Sequence, residues 1–258
     1  MAKLIDTHTH LYDTPFADDL DAVVGRAREC EVTKIILPAI DSTYYRQMIQ
    51  CADTLPGFAS VAIGLHPTSV KENWREELEF VMERSEEREF IAVGEIGVDC
   101  YWSKEFMREQ LLVFQAQIEV AVKKNIPVIV HMRDSTEEIF KVLDNCRHLP
   151  LRGVFHAYSG SIETYERLKR YGDFVFGIGG VVTYKNSKLS EVVSKMNLED
   201  IVLETDSPWL TPAPYRGKRN EPSYVKIIAE KVAEVKNISP EEVAGTTSYN
   251  AARMFNFN

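Results

Sequence analysis

An α/β protein built as a single (β/α)8 barrel is the fold class this sequence predicts, with residues 1–258 forming one domain. Three observations predict it. Eight short apolar runs alternate with longer stretches of helical periodicity. The length of 258 residues matches the roughly 250 that such a barrel needs. No linker, low-complexity tract or shift of composition divides the chain. A doubly wound open sheet is the structural competitor.

In chain order, the runs expected to be strands are Lys3–Asp6, Lys34–Pro38, Ala59–Gly64, Ile91–Glu95, Pro127–His131, Gly153–His156, Phe174–Gly177 and Ile201–Thr205. Each is nearly continuously apolar, as parallel strands covered on both faces are. Between them, Met107, Leu111, Phe114, Ile118 and Ala121 make one apolar stripe at helical spacing, and Val225, Ile228, Val232 and Val235 make another. Two helix starts are readable. Ser135 with Glu138 is a capping-box pattern, and Ser239 with Glu242 repeats it with Pro240 at the first helical position.

Thirty Lys and Arg against 39 Asp and Glu leave a net charge of −9, which excludes a polycation that coats DNA or anionic membranes. Nucleic acid could be handled only through a local basic patch or a bound metal. The start, MAKLIDTHTH, has no apolar core of a secretory signal, and the most membrane-like stretch, 174–182, is too short to span. The four cysteines form no C-x-x-C pair and read as buried free thiols. The expectation is a cytoplasmic, soluble protein without a membrane partner, and a monomer.

The chemistry lies in where the ligand-type residues fall. His8 and His10 follow the first expected strand, His66 follows the third, His131 ends the fifth and His156 ends the sixth. Glu95 ends the fourth and Asp206 follows the eighth. In a parallel barrel these ends open on one face, the C-terminal face where active sites of this fold lie. Residues i and i+2 of an extended segment share a face, so His8 and His10 can converge on one ion. Four nitrogens and two carboxylates exceed the needs of one tetrahedral catalytic ion and suit two ions sharing a carboxylate and a water. Glu95, midway round the barrel, is the natural bridge, and Asp206 the natural general base. Zn, Mg or Mn are the expected ions, one or two of them, with no motif that selects among them.

These residues sit in segments that together resemble the TatD family of metal-dependent deoxyribonucleases, within the amidohydrolase superfamily. The segments are IDTHTHL at 5–11, GLHP at 64–67, GEIGVD at 94–99, VIVHMRD at 128–134, FHAYSGS at 155–161, ETDSPWLTP at 204–212, RGKRNEP at 216–222 and NAARMF at 250–255. The resemblance covers essentially the whole chain. It implies a distorted barrel in which His8, His10, Glu95 and Asp206 hold one ion, and Glu95, His131 and His156 a second. Many superfamily relatives bridge two metals with a carbamylated lysine on strand four, a position held here by Glu95. Cys100 stands where an aromatic is common, and Ala157-Tyr158 replaces a more frequent Cys-Phe pair, so Tyr158 is a candidate to alter base stacking.

The implied activity is metal-dependent hydrolysis of DNA phosphodiester bonds, exonucleolytic from the 3′ end of single strands. Catalysis is assigned to Asp206, Glu95 and His66, the last facing substrate. Arg133, Tyr158, Arg216, Lys218 and Arg219 are expected to touch a nucleic-acid-derived substrate, with Trp209 and Tyr215 able to stack on bases. The residues between Pro212 and Lys226 carry a local positive excess on the active-site side. Glu204 is read as a neighbour of the ligands, while Asp99 and Tyr101 shape the loop after strand four. His148 is given no role, and Asn250 and Arg253 anchor the last helix. Two rivals keep part of this reading. One is a metal-dependent ester or amide hydrolase such as a D-aminoacyl-tRNA deacylase, and the other is a metal-binding scaffold without turnover.

Overall fold

The computed structural model describes residues 3–257. Eight parallel strands pair in chain order: β1 (Leu4–Asp6), β2 (Val32–Leu37), β3 (Ala59–Ile63), β4 (Ala92–Asp99), β5 (Val128–Arg133), β6 (Arg152–Phe155), β7 (Asp173–Ile178) and β8 (Ile201–Leu203). They alternate with α1 (Leu20–Glu29), α2 (Ser42–Thr54), α3 (Trp74–Arg84), α4 (Met107–Lys124), α5 (Thr136–Asn145), α6 (Ile162–Leu168), α7 (Leu189–Lys195) and α8 (Val225–Lys236), and α9 (Pro240–Phe255) follows. The sheet nearly closes into a barrel. Past the last rungs of β8 and β1, the Thr7 amide donates to Leu203 O at 3.0 Å and the Asp206 amide to His8 O at 2.8 Å. Side chains lock the same seam, since Asp6 accepts from the Thr205 amide (2.9 Å) and hydroxyl (2.6 Å).

One apolar layer lies between strands and helices. A second fills the barrel with one residue from every strand: Ile5, Ile36, Ala62, Ala92, Ile129, Val154, Val175 and Val202. Ala251, Met254 and Phe255 of α9 close that end from below. The helix is tied down by Asn250, whose amide donates to Leu198 O and Ile201 O, and by the Arg253–Asp173 pair, as the last helix was expected to be. Strand side chains alternate, so two residues beyond Ile129, Val154 and Val202 the inward positions are His131, His156 and Glu204. The floor of the barrel thus sets the height at which the polar cluster sits.

Several local expectations need correction. Strand β4 does not end at Glu95 but runs to Asp99, with its register to β5 shifting between Val93 and Ile96. Beyond the shift Gly97 faces His131 at φ +137°, where a Cβ would overlap the His131 carbonyl oxygen. Strand β5 likewise continues to Arg133. Ser135 makes no capping bond, because its hydroxyl is drawn to Val98 O at 2.7 Å. Ser239 does cap, accepting from the Glu242 amide at 3.1 Å. The buried face of α4 is rotated from the apolar stripe and includes Gln110 and Gln117. Gln117 clamps the Leu65 backbone and Gln110 the Asp99 backbone, holding two loops of the active face.

Candidate metal centre

Five histidines and two carboxylates, carried by β1, β3, β4, β5, β6 and β8 or by the residues just after them, meet above the apolar floor. The Nε2 atoms of His8 and His10 lie 3.2 Å apart. Glu95 Oε2 is 3.0 Å from His8 Nε2, and Asp206 Oδ1 lies 3.7 and 3.6 Å from the two ring nitrogens. The other oxygen of Glu95 faces a second set: His156 Nε2 at 2.7 Å, His131 Nδ1 at 2.8 Å and His66 Nε2 at 3.1 Å. The Glu95 carboxylate therefore stands between two groups of nitrogens, one oxygen toward each. Solvent reaches the cluster at Asp206, His131 and His66, whose side chains are 14%, 14% and 13% exposed.

Hydrogen bonding on the far side of the rings decides which nitrogens present lone pairs. Tyr12 spends its one hydroxyl proton on Pro38 O (2.5 Å), so His10 Nδ1, 2.7 Å away, must be the donor to it. The Nε2 of neutral His10 is then a lone pair aimed at Glu95 and Asp206. His131 Nε2 donates to Asp99 at 2.9 Å, so in the neutral ring, the form that binds a metal, Nδ1 is the lone pair. His66 is the opposite case. Its Nδ1 accepts from the Thr68 amide at 3.1 Å, so Nε2 carries the proton and is a donor. Asp206, at φ +56°, is held in the left-handed region by its amide bond to His8 O.

Neighbours tune the charges. Burial would raise the Glu95 carboxyl, but His156, His66 and His8 around it outweigh that and hold it well below the usual range. Asp206 is lowered as well, burial being outweighed by the imidazoles of His10, His8 and His156 beside it. His8 and His66 are lowered by burial. Burial acts downward on His131 and His156 too, but Asp99 with Glu95 and Glu95 with Glu204, respectively, raise them. A buried group of lone pairs and carboxylates this close needs a cation, and the mixture of imidazole and carboxylate donors fits divalent ions such as Zn or Mn. His8 Nδ1, His156 Nδ1 and Glu204 Oε2 are buried without a hydrogen-bond partner. Glu204 sits in a space that only Gly177 leaves, since a Cβ there would overlap its carboxylate. One of its oxygens accepts from the Ala157 amide and lies 3.5 Å from His156 Nδ1.

The expected substrate residues divide. Tyr158 is corrected: it is 2% exposed, packs on Phe176 and donates to Ser161 O, out of reach of any ligand. Arg219 is corrected as well, because it is spent on a bidentate pair with Asp19 and on Pro15 O. Arg216 lies over the Tyr184 ring and Lys218 over Tyr215, both exposed in the loop after β8. Arg133 is exposed two residues past His131, and Trp209 stands edge-on to His10 at 5.0 Å. Two features of the centre escaped sequence reasoning: Tyr12, and the bond to His131 made by Asp99, which was expected only to shape the loop after strand four. The i, i+2 spacing of His10 and Tyr12 was the available signal for the first; the second needed the β4–β5 register.

Against the known families, residues 5–256 match the model described as TatD related DNase. The chain belongs to the TatD family. It is similar over 99% of its length, at 38% identity across 259 residues, to all of YabD of Bacillus subtilis, described as an uncharacterized metal-dependent hydrolase. YjjV of Escherichia coli K12, described in the same words, is 31% identical over 261 residues, covering 99% of both chains. The crystal structure of YjjV, a TatD homologue, superposes with a TM-score of 0.88, covering 99% of this chain and 98% of that one. A TatD-family hydrolase of Entamoeba histolytica, 22% identical, shares the fold with a TM-score of 0.83 over 99% of each chain. This TatD-family member is accordingly a metal-dependent hydrolase with the barrel of its relatives. Among the described residues no helix is long and apolar enough to cross a membrane.

Proposed function

We propose that this chain hydrolyses phosphodiester bonds of single-stranded DNA, removing nucleotides from the 3′ end. The observation that carries the reading is the Glu95 carboxylate, with one oxygen toward His8 and His10 and the other toward His131 and His156, at the mouth of a TatD-family barrel. His8, His10, Glu95 and Asp206 would hold one divalent ion, and Glu95, His131 and His156 a second. Bound there, the ions supply positive charge to the non-bridging phosphate oxygens and make an attacking water more acidic.

The protein's own groups then have separable tasks. Asp206 lies at the open side with its carboxyl below the usual range, so at neutral pH it is ionised and can take the proton of the attacking water. His66 presents Nε2–H, fixed by the Thr68 amide, and can donate to a phosphate oxygen as the bond to the departing sugar oxygen breaks. Arg133 at the end of β5 and Arg216 and Lys218 in the loop after β8 are exposed and can meet the backbone of the strand. The narrow opening favours a strand end over a duplex, which is too wide to enter.

The test is cleavage of a 5′-labelled single-stranded oligomer by metal-stripped protein, with Mg²⁺, Mn²⁺ and Zn²⁺ restored separately and Asp206→Asn as control. A ladder shortening from the 3′ end, absent in the variant, supports the reading and ranks the metals. An intact oligomer with every metal overturns DNA as substrate, and charged tRNA is then the next ester to assay.

A further inference from the structure

The loop after β4 ends in two aromatic rings turned outward, Tyr101 at 54% and Trp102 at 70% exposed. Buried machinery holds this tip in place. One oxygen of the buried Asp99 carboxylate accepts from both the Tyr101 and Trp102 amides (3.0 and 3.2 Å), and the other accepts from His131 Nε2. Gln110 clamps the Asp99 backbone from behind. The rings stand edge to face, 5.0 Å apart, and the Arg133 guanidinium lies 3.8 Å from the Tyr101 centroid. Arg133 is the register partner of Asp99 and sits two residues beyond His131 on the same face of β5, roughly 7 Å along the strand. Arg26, Arg219 and Arg253 are all paired with carboxylates, whereas among the described residues none pairs with Arg133.

An exposed ring held by a carboxylate that also bonds a candidate metal ligand, beside an unpaired guanidinium in a chain of net charge −9, has the makings of a site for a planar anionic ligand. We propose that Trp102 and Tyr101 are the platform on which a nucleobase beside the scissile phosphate stacks, while the free edge of Arg133 takes the flanking phosphate. The proposal rests on the nuclease reading above and names the subsite it lacked. Stacking tolerates every base, because each offers a π-face, and the guanidinium reads only the backbone. The platform therefore accepts a single strand without regard to sequence. Asp99 joins platform and centre, so the tip keeps its height relative to His131.

The test compares two single-stranded oligomers, one ending in a normal 3′ nucleotide and one whose terminal residue lacks its base, with the metal-loaded enzyme. For the wild type, KM for the normal oligomer is expected to be about tenfold below that for the abasic one, within the range base–aromatic stacking supplies. In Trp102→Ala that ratio falls to near one, and Trp102→Phe restores most of it. Arg133→Ala raises KM for both oligomers and lowers the slope of log KM against log salt by about 0.7, the share of one phosphate of a single strand. All three side chains are exposed at the surface, and circular dichroism with metal content confirms that the variants are folded and loaded. If the wild type cleaves oligomers but Trp102→Ala keeps the tenfold ratio, the platform is overturned while the nuclease reading stands. If the loaded wild type cleaves no oligonucleotide, the nuclease reading falls and the platform with it.

Discussion

Two layers inside this barrel differ by only two residues along the strands, yet they obey different physics. The floor, with Ile36, Ile129, Val154 and Val202 among its eight strand positions, is made wholly of apolar side chains. Its stability comes from close packing and from area withdrawn from water. The layer above is as buried at its centre, with His8 at 0% and Glu95 at 2% exposure, but contains imidazoles and carboxylates. Packing alone cannot satisfy it. Lone pairs of His10 and His131 face the Glu95 carboxylate, and only a cation completes the arrangement. A fold can place the two side by side because the lower layer carries the structure while the upper one is free to be costly.

The widest separation of the layers is expected from Glu95→Ala. Activity should fall by more than about a thousandfold because both groups of ligands lose their shared carboxylate. Adding metal at a hundred times its Kd should raise the Tm of stripped wild type by about 5–10 °C and leave the variant unmoved. Calorimetry with metal analysis checks both, and normal turnover in a metal-verified variant would remove Glu95 from the mechanism. Next in size, Asp206→Asn should lower kcat by about 10²–10⁴-fold, measured on the same oligomer, as the loss of a proton acceptor does. Tyr12→Phe keeps the ring in place but takes away the acceptor that fixes the His10 tautomer, so metal affinity should drop about 10–100-fold in a competition titration. An unchanged affinity would show that the His10 lone pair is set by something else.

The floor should respond in the opposite way. Ile36→Ala, on a strand that contributes no ligand, should cost about 2–5 kcal/mol in denaturant unfolding while turnover per folded, loaded molecule is preserved. A loss of metal in that variant would mean the layers are not separable. The smallest effect belongs to a pair outside both. Burial would raise the Glu221 carboxyl, but its bonds with Arg26 and Ser223 outweigh it and hold the group below its ordinary value. A lowered folded-state pKa stabilises above the unfolded value of about 4.3 and is lost as pH falls through the folded one. Arg26→Ala should therefore cost about 1 kcal/mol at pH 7, and the gap to wild type should close on acidification below about pH 4.

Much of this was legible beforehand because it depends on local pattern. The apolar runs located all eight strands, and the residues at their C-terminal ends identified the polar cluster, since a parallel barrel sends every such end to one face. Boundaries were less legible. Glu95 falls inside β4, where the register shifts, and nothing in GEIGVD reveals that the pairing to β5 resumes only at Ile96. The stripe on α4 missed Gln110 and Gln117, whose burial depends on loops they bond rather than on their own polarity. Tyr158 and Arg219 looked available because sequence position says nothing about which partner arrives first. Phe176 and Ser161 took the one, Asp19 the other.

By itself, then, the sequence determined the alternation of strands and helices and the identity of the residues that meet at the C-terminal ends of the strands. These follow from periodicity and from where a strand ends, both short-range properties of a chain. The tertiary structure alone decided the tautomers of His10 and His131, the standing of Glu95 between two sets of nitrogens, and the outward pose of Trp102 next to Arg133. Each of these depends on a hydrogen bond or contact between segments apart in sequence, such as Tyr12 with Pro38 or Asp99 with His131. The number of possible partners at that range is too large for pattern to choose, and only closure of the barrel selects one.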